Sequence, residues 1–403
     1  MSHRNAPLSA EAGGDRAYFS PVQGGPLFRL FCRTRLSTDE LLLLRRRIVV
    51  VMLVAWLPLL LLSVTEGKAM GEGVAVPFFY DFAVHIRFLV ALPLLFVAEF
   101  VAHHRLRPVV KAFEARGLIP VDARERFDAA LGSAFKARNS VFAELVIIAL
   151  VYGVGVLVVL NHYVPIDGKT WFSELSAGGA KLSMAGLWYG FVSLPIFQFL
   201  LLRWYFRIFI WARLMWQVSR LPLRLVPTHP DRAGGLGFLA HSISAFVALA
   251  LAHSAVLAGQ LLNRIVHLGA SLPDFAIEIG VMVVFVLLLA LAPLVVFAGQ
   301  LGQLRRTGLD EYGVLAQRLA DDFDAKWVRG GAPADEPFLG SPDISALADM
   351  GGNYEVIENM RSLPIAPEAL IPLVAAILLP VLPLTLTLMP LEALLEALVS
   401  LMF

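Results

Sequence analysis

The residues of this chain with chemistry to offer are mostly ionisable groups set inside apolar stretches. A charge there is costly enough to mark either a function or a fixed pairing. They fall into three sets. Arg87, His253, Gln260, Arg264 and Glu278 make a candidate polar path. His253 stands near the middle of an apolar run, and Gln260 and His267 follow at heptad spacing on one helix face. A polar stripe of that period must face protein or water rather than lipid. It could line a pore or relay protons, since imidazole titrates near neutrality, or act as hydrogen-bonding glue between helices. Arg264 and Glu278 flank a short turn, where they can pair, and His85 lies at the same level as Arg87.

The second set is Glu99, Glu144, Arg203 and Arg207, grouped toward the opposite ends of their apolar runs. These groups could neutralise one another, or snorkel to a nearby interface on their long side chains. The third set is His229, Asp231, Gly234 and Gly235 within the stretch HPDRAGGLGF. Glycines beside a carboxylate can cradle an anion or a metal, and His103-His104 would add ligands if the fold brought them near. A tight turn needs no ligand to explain the same residues.

No catalytic constellation emerges. The chain has no G-x-S-x-G elbow, no H-E-x-x-H, and neither a G-x-x-x-x-G-K-[ST] nor a G-x-G-x-x-G loop. Its single cysteine, Cys32, excludes an internal disulfide and any Cys-based zinc site. No catalytic residue, metal or cofactor is therefore assigned. Net charge is +1 over 403 residues, so no global field points to nucleic acid.

These groups must be positioned by helices in a bilayer. The sequence is 58% hydrophobic and only 16% charged, where a soluble domain is about a quarter charged. The apolar residues come in blocks long enough to cross a hydrocarbon core of about 30 Å. The expected architecture is all-α: a polytopic transmembrane bundle of six spans near residues 48–64, 80–102, 141–160, 182–202, 241–266 and 275–301. A C-terminal apolar segment, 368–403, follows as a seventh span or a re-entrant hairpin. It is broken by Pro372, Pro380, Pro383 and Pro390, and the stretch from Pro383 to Pro390 reads as extended. Gly186 and Gly190 form a G-x-x-x-G in the fourth span, as close helix packing requires.

The polar segments set the orientation. Residues 1–47 form an N-terminal cytoplasmic segment, disordered through about residue 26 and ending in Arg45-Arg46-Arg47 against the first span. By the positive-inside rule this holds the N-terminus in the cytoplasm. Residues 103–139 carry eight basic against four acidic side chains, again the cytoplasmic sign. The loop 161–181 reads as external, with Trp171 at the interface. Arg203 to Leu221 mixes arginines with Trp204, Trp211 and Trp216, as an amphipathic helix in the inner interface does. Residues 303–367 are acidic and cytoplasmic, with eleven acidic against six basic side chains between Arg305 and Arg361. They could dock on the basic segment or stay separately solvated. Arginine outnumbers lysine, and Ala, Leu, Gly and Pro abound, as in bacterial chains from GC-rich genomes.

Three stretches belong together: PTHPDRAGGLGF (Pro227 to Phe238), DISALADMGGNYEVIENMR (Asp343 to Arg361) and LPVLPLTLTLMPLEALL (Leu379 to Leu395). In them the chain resembles a family of multi-spanning bacterial inner-membrane proteins to which no activity is attached. The resemblance implies residence in the inner membrane and nothing about mechanism. The function expected from the polar stripe, the charges at depth and the broken terminal segment is passage of an ion or small solute. Arg87 at the outer mouth would favour anions. The expected partners are the lipid bilayer, that solute and further copies of the chain. The alternatives are a sensor or scaffold holding a partner through 303–367, and a lipid-acting enzyme built on His229 and Asp231.

Overall fold

The structure, a computed structural model, describes residues 20, 22–34, 43–70, 74–155, 170–176 and 179–388. It is an all-α bundle. A short helix, α1 (Pro26–Arg33), precedes α2 (Leu44–Thr65) and α3 (Phe82–Ala115). Then come α4 (Val121–Arg138) and α5 (Val141–Val154), bent by 46° at Asn139 and Ser140. A small antiparallel hairpin, β1 (Ser173–Ser176) and β2 (Gly179–Leu182), leads into α6 (Met184–Val218). Helices α7 (Gly237–Leu268) and α8 (Leu272–Val295) form the next antiparallel pair. Outside the apolar bundle, α9 (Ala298–Phe323) packs against α10 (Pro342–Glu358), and α11 (Pro367–Leu378) returns to α7.

Five helices are long and apolar enough to cross a membrane (α2, α3, α6, α7 and α8), and six if the bent α4–α5 pair is one span. Exposure shows where lipid lies. The apolar window of α7 is 67% buried, whereas those of α2 and α8 are 17% buried. Residues such as Leu53, Leu57 and Leu61 on α2, and Val281, Val284 and Leu288 on α8, stand exposed in rows. Surfaces of that size would be an aggregation hazard in water and are the ordinary outer face of a membrane bundle. The chain is a membrane protein.

Prolines shape the spans, and neighbouring side chains satisfy the carbonyls they free. Pro58 releases the Val54 carbonyl, which accepts from Trp188 Nε1 at 3.3 Å. Pro195 releases the Phe191 carbonyl, which accepts from the Tyr152 hydroxyl at 3.2 Å. Helices α3 and α6 each open a π-helical turn just before a Leu-Pro pair, at Ile86–Ala91 before Leu92-Pro93 and at Tyr189–Ser193 before Leu194-Pro195. Such turns are uncommon and frequently mark functional sites. Here they carry Arg87 and Tyr189.

Several expectations are corrected. The stretch after Arg203 is no separate interfacial helix: α6 runs unbroken to Val218, and Arg203, Trp204, Arg207 and Trp211 are buried while Trp216 stays exposed. Its basic partner is α4, where Arg213 Nη2 donates to Ser133 Oγ at 2.7 Å. Trp171 is fully buried rather than interfacial, because an acidic partner, Asp81, takes its indole N–H. The sixth span stops at Val295, short of residue 301, and α9 starts afresh at Ala298. Gly186 serves the β-hairpin rather than another helix. A Cβ there would lie 2.0 Å from the Phe172 carbonyl oxygen, so only hydrogen fits.

The segment starting at Pro383 is not extended but forms a 3-10 turn, Leu382–Thr387, with Thr385 and Thr387 bonded back to carbonyls three residues earlier. Helix α11 has 12 residues, about 18 Å at 1.5 Å per residue and too short to cross alone. The choice between a seventh span and a re-entrant hairpin turns on residues 389–403, outside the described residues, as does the end of the third span beyond Gly155. Residues 20 and 22–26, expected to be disordered, are instead placed against the end of the bundle that holds Arg203 and Arg207, with Ser20, Val22 and Gly25 buried.

Candidate functional site: two buried charged levels between α3 and α6

At one end of the α3–α6 seam lies a network of five charged side chains. Glu99 of α3 is its centre: Arg207 Nη1 and Arg203 Nη1 approach Oε1 at 2.5 and 3.2 Å, and Arg47 Nη2 approaches Oε2 at 2.9 Å. Arg203 Nε also meets Glu144 Oε1 of α5 at 3.2 Å. All five residues are buried. The helices bring them together because Glu99 and Arg203/Arg207 stand at matching depths on parallel spans, with α2 and α5 closing the sides.

Three guanidiniums against two carboxylates leave one positive charge in excess, and backbone oxygens complement it. Arg203 Nη2 donates to the Gly24 carbonyl at 3.1 Å, and Arg207 Nη2 to that of Val22 at 2.9 Å. Arg138 Nη1 donates to the Ser20 carbonyl at 2.8 Å. In return the Leu27 N–H, at the start of α1, donates to Glu144 Oε2 at 2.9 Å, and the Gly25 N–H to Asn139 Oδ1 at 3.1 Å. The N-terminal segment is thus a plug whose carbonyls occupy the donors of Arg203 and Arg207. An anion would present oxygens to the same donors.

Arg47 was read in sequence only as part of the topology-setting triplet. The structure separates it from its neighbours: Arg45 and Arg46 are exposed, while Arg47 is 1% exposed beneath Phe31 and Phe96. Its Nε has no hydrogen-bond partner among the described residues. The available signal was spacing, since Arg47 shares a stripe with Ala55, Leu59 and Ser63 on the buried face of α2. The plug left no signal, because Val22, Gly24, Gly25 and Leu27 meet the cluster and its neighbours through backbone atoms.

The other end of the seam holds the second level. Arg87 is buried in the π turn of α3 and donates from Nη1 to the Tyr189 hydroxyl, in the π turn of α6, at 2.5 Å. One turn earlier, Asp81 caps α3 by accepting from the Val84 N–H at 3.1 Å. It also accepts from Trp171 Nε1 and Asn263 Nδ2, both at 2.8 Å. His85 is held between Trp56 Nε1 and the Phe78 carbonyl at 3.0 and 2.9 Å. Asp81 and Tyr189 were not singled out in sequence. Between the two levels the seam is filled by Phe88, Leu92, Leu95 and Phe96 of α3 against Phe197, Leu200 and Trp204 of α6, all buried. Arg87 and Glu99 are 12 positions apart, about 18 Å along a helix.

The rest of the expected path does not form one line. His253 is buried, with Nδ1 at 2.8 Å from the Leu249 carbonyl and Nε2 at 2.8 Å from the Tyr205 hydroxyl. A carbonyl only accepts, so Nδ1 carries the proton and Nε2 accepts from tyrosine. Gln260 faces outward. Arg264 and Glu278 do pair, at 3.7 Å, but on an exposed surface. Tyr205→Phe, which leaves His253 Nε2 without its donor, is expected to cost about 1 kcal/mol, read as a small drop in the thermal midpoint of purified protein.

In the loop between α6 and α7, both Asp231 oxygens are taken up by the backbone. Oδ1 accepts from the Ala233 and Gly235 N–H groups at 2.9 and 3.1 Å, and Oδ2 from that of Gly237 at 2.7 Å. His229 Nδ1 sits 2.9 Å from Oδ1. Burial pushes the Asp231 carboxyl up, but the three amides and the His229 ring outweigh it and hold its pKa below the ordinary value. Gly234 and Gly235 supply left-handed turns at φ +63° and +97°. Gly237 leaves room for the carboxylate, which a Cβ would approach to 2.8 Å. Arg361, from the second of the three familiar stretches, clamps the loop: its Nη2 donates to the Asp231 carbonyl and its N–H to that of Arg232, both at 2.7 Å. The His103-His104 pair does not join this loop. His103 Nδ1 lies 3.0 Å from Ser20 Oγ, and His104 Nδ1 lies 2.9 Å from the Phe100 carbonyl. Among the described residues no three His, Cys, Asp or Glu side chains converge to hold a metal ion.

No family model, no curated protein and no solved structure matched this chain, so the site is read from its own geometry.

Proposed function

We propose that this protein passes a small anion across the inner membrane of a bacterium, with its N-terminus and long polar segments in the cytoplasm. The observation that carries the reading is the pair of buried charged levels along the α3–α6 seam, separated by a packed apolar septum. Buried charges at two depths, with irregular helix turns at one of them, are how membrane transporters build and gate their sites. Arg87 serves the outer level and Arg203 and Arg207 the inner one. The arrangement corresponds to a closed state, with the plug carbonyls standing where anion oxygens would bind. Arg45 and Arg46 beside the first span, and the basic segment 103–139, favour this orientation.

The test is uptake of chloride, nitrate and acetate into proteoliposomes containing the full chain. Wild type is expected to show uptake, with Arg87→Gln reducing it about tenfold, the loss of one charged contact worth roughly 1.4 kcal/mol. Absence of uptake of all three, with the protein folded and reconstituted, would overturn the reading.

One observation supports a second reading, a scaffold for a cytoplasmic partner. The turn joining α9 to α10 presents Phe338 and Leu339 to solvent, Leu339 being 84% exposed, beyond the apolar bundle. Binding of a partner would be lost on Leu339→Asp with anion uptake untouched. A lipid-acting enzyme built on Asp231 is less supported, because both carboxylate oxygens are already committed to backbone amides.

A further inference from the structure

An apolar cavity of about 560 Å³ lies where α1, α2, α3, α5 and α6 meet. Leu30, Val50, Val54, Ile148 and Phe199 line it, and Glu144 is its one charged lining residue. Glu144 is already neutralised by Arg203 and the Leu27 N–H. Most of the lining comes from membrane-crossing helices, and the cavity opens sideways: Leu30 is 53% and Val54 44% exposed. A groove of this composition at bilayer depth meets hydrocarbon rather than water, so the solute at hand to fill it is an acyl chain. Its volume falls in the range of sites that enclose small molecules, about 300–1,000 Å³.

The inner end of the groove carries the charge that selects a headgroup. Arg46 is one turn before Val50 on α2, and Arg33 is one turn after Leu30 on α1. Both are exposed and are helical-face neighbours of a residue that lines the groove. Arg47 lies behind them in the cluster of three guanidiniums and two carboxylates, which keeps one positive charge in excess. Helix α1 is itself amphipathic, with Phe28 and Phe31 buried and Arg29 and Arg33 exposed, as suits a helix lying at the interface. Guanidinium groups match phosphate oxygens in geometry as well as charge.

We propose that this groove is a binding site for one anionic phospholipid of the inner leaflet, its acyl chain between α2 and α5 and its phosphate at Arg33 and Arg46. The site is independent of anion passage along the α3–α6 seam. It fixes α1, and therefore the plug, against the bundle through a molecule supplied by the membrane.

Native mass spectrometry of the full chain in detergent, with equal amounts of phosphatidylglycerol and phosphatidylcholine, tests this. Wild type is expected to retain one phosphatidylglycerol at least fivefold more often than phosphatidylcholine. Arg33→Gln with Arg46→Gln should bring that ratio to about one while leaving some lipid bound. Val54→Trp with Ile148→Trp, filling the groove, should remove the retained lipid of both kinds. Equal retention of the two lipids by wild type would overturn the proposal. So would an unchanged preference in the arginine variant, whose two exposed positions leave the fold intact even if the tryptophan variant fails to assemble.

Discussion

Replacing Glu99 with alanine is expected to cost this protein about 3–5 kcal/mol of stability, the range seen when one partner of a buried ion pair is removed. The reason lies in the arithmetic of the network. Glu99 meets three guanidiniums, two through one oxygen and one through the other. Without it Arg47, Arg203 and Arg207 share only Glu144, which touches Arg203 alone. Three like charges in a low-dielectric setting then repel each other, with a counter-charge at contact distance of Arg203 alone. Glu144→Ala should be milder, because Glu99 still neutralises the centre. Removing a second charge should restore part of the loss: Glu99→Ala with Arg207→Leu is expected to be more stable than Glu99→Ala alone, a coupling visible in a double-mutant cycle. The measurement is the thermal midpoint in detergent for the four proteins. Equal midpoints for wild type and Glu99→Ala would show that the network does not hold the spans together.

Asp231→Ala is the second change with a large expected effect, about 3 kcal/mol, since hydrogen bonds to a charged acceptor contribute roughly 1.5–3 kcal/mol and three are lost together. The amides of Ala233, Gly235 and Gly237 would have to find water inside a turn that the Asp231 side chain itself organises. The start of α7 begins at Gly237, so its first turn should fray. Hydrogen exchange at Gly235 and Gly237 would read this directly, with faster exchange in the variant and little change in α3. Asp231→Asn should lie between, because an amide oxygen keeps part of the accepting capacity. The folded carboxyl is held below its ordinary pKa, so its stabilisation is fully present above the unfolded value of about 4. It is lost as pH falls through the lower folded value. Protection of the same two amides, taken relative to their intrinsic exchange rate at each pH, should therefore fall at acid pH in wild type and stay flat in Asp231→Ala.

The sequence made the helical class legible because hydrocarbon imposes long apolar runs whatever the tertiary fold, and the starts of α2, α3, α6 and α7 fall within about four residues of their expected positions, as boundary estimates do. The Glu99 cluster was legible for the same reason: Glu99, Glu144, Arg203 and Arg207 are conspicuous against apolar neighbours. What could not be read was which polar groups spend their bonding capacity locally. His253 looked like a pore residue by period, yet its partners, the Leu249 carbonyl and Tyr205, become visible only once α6 and α7 are side by side. Trp171 looked interfacial by type and is buried by a partner 90 positions away. The α6 extension looked amphipathic because its arginines were counted as wet, when two of them are neutralised inside the bundle.

The plug has a consequence for how the chain is made. Val22, Gly24 and Leu27 leave the ribosome well before the groups they bind, which lie 117 positions after Leu27 in Glu144, 179 after Gly24 in Arg203 and 185 after Val22 in Arg207. Arg47 and Glu99 can find each other once two spans are inserted, whereas Arg203 and Arg207 arrive only with α6. A segment synthesised before the helices that hold it is thus among the last to settle. Until α6 is in place, this segment must wait outside the bundle, open to proteases and chaperones, and its capture reports that the Glu99 end of the bundle has been completed.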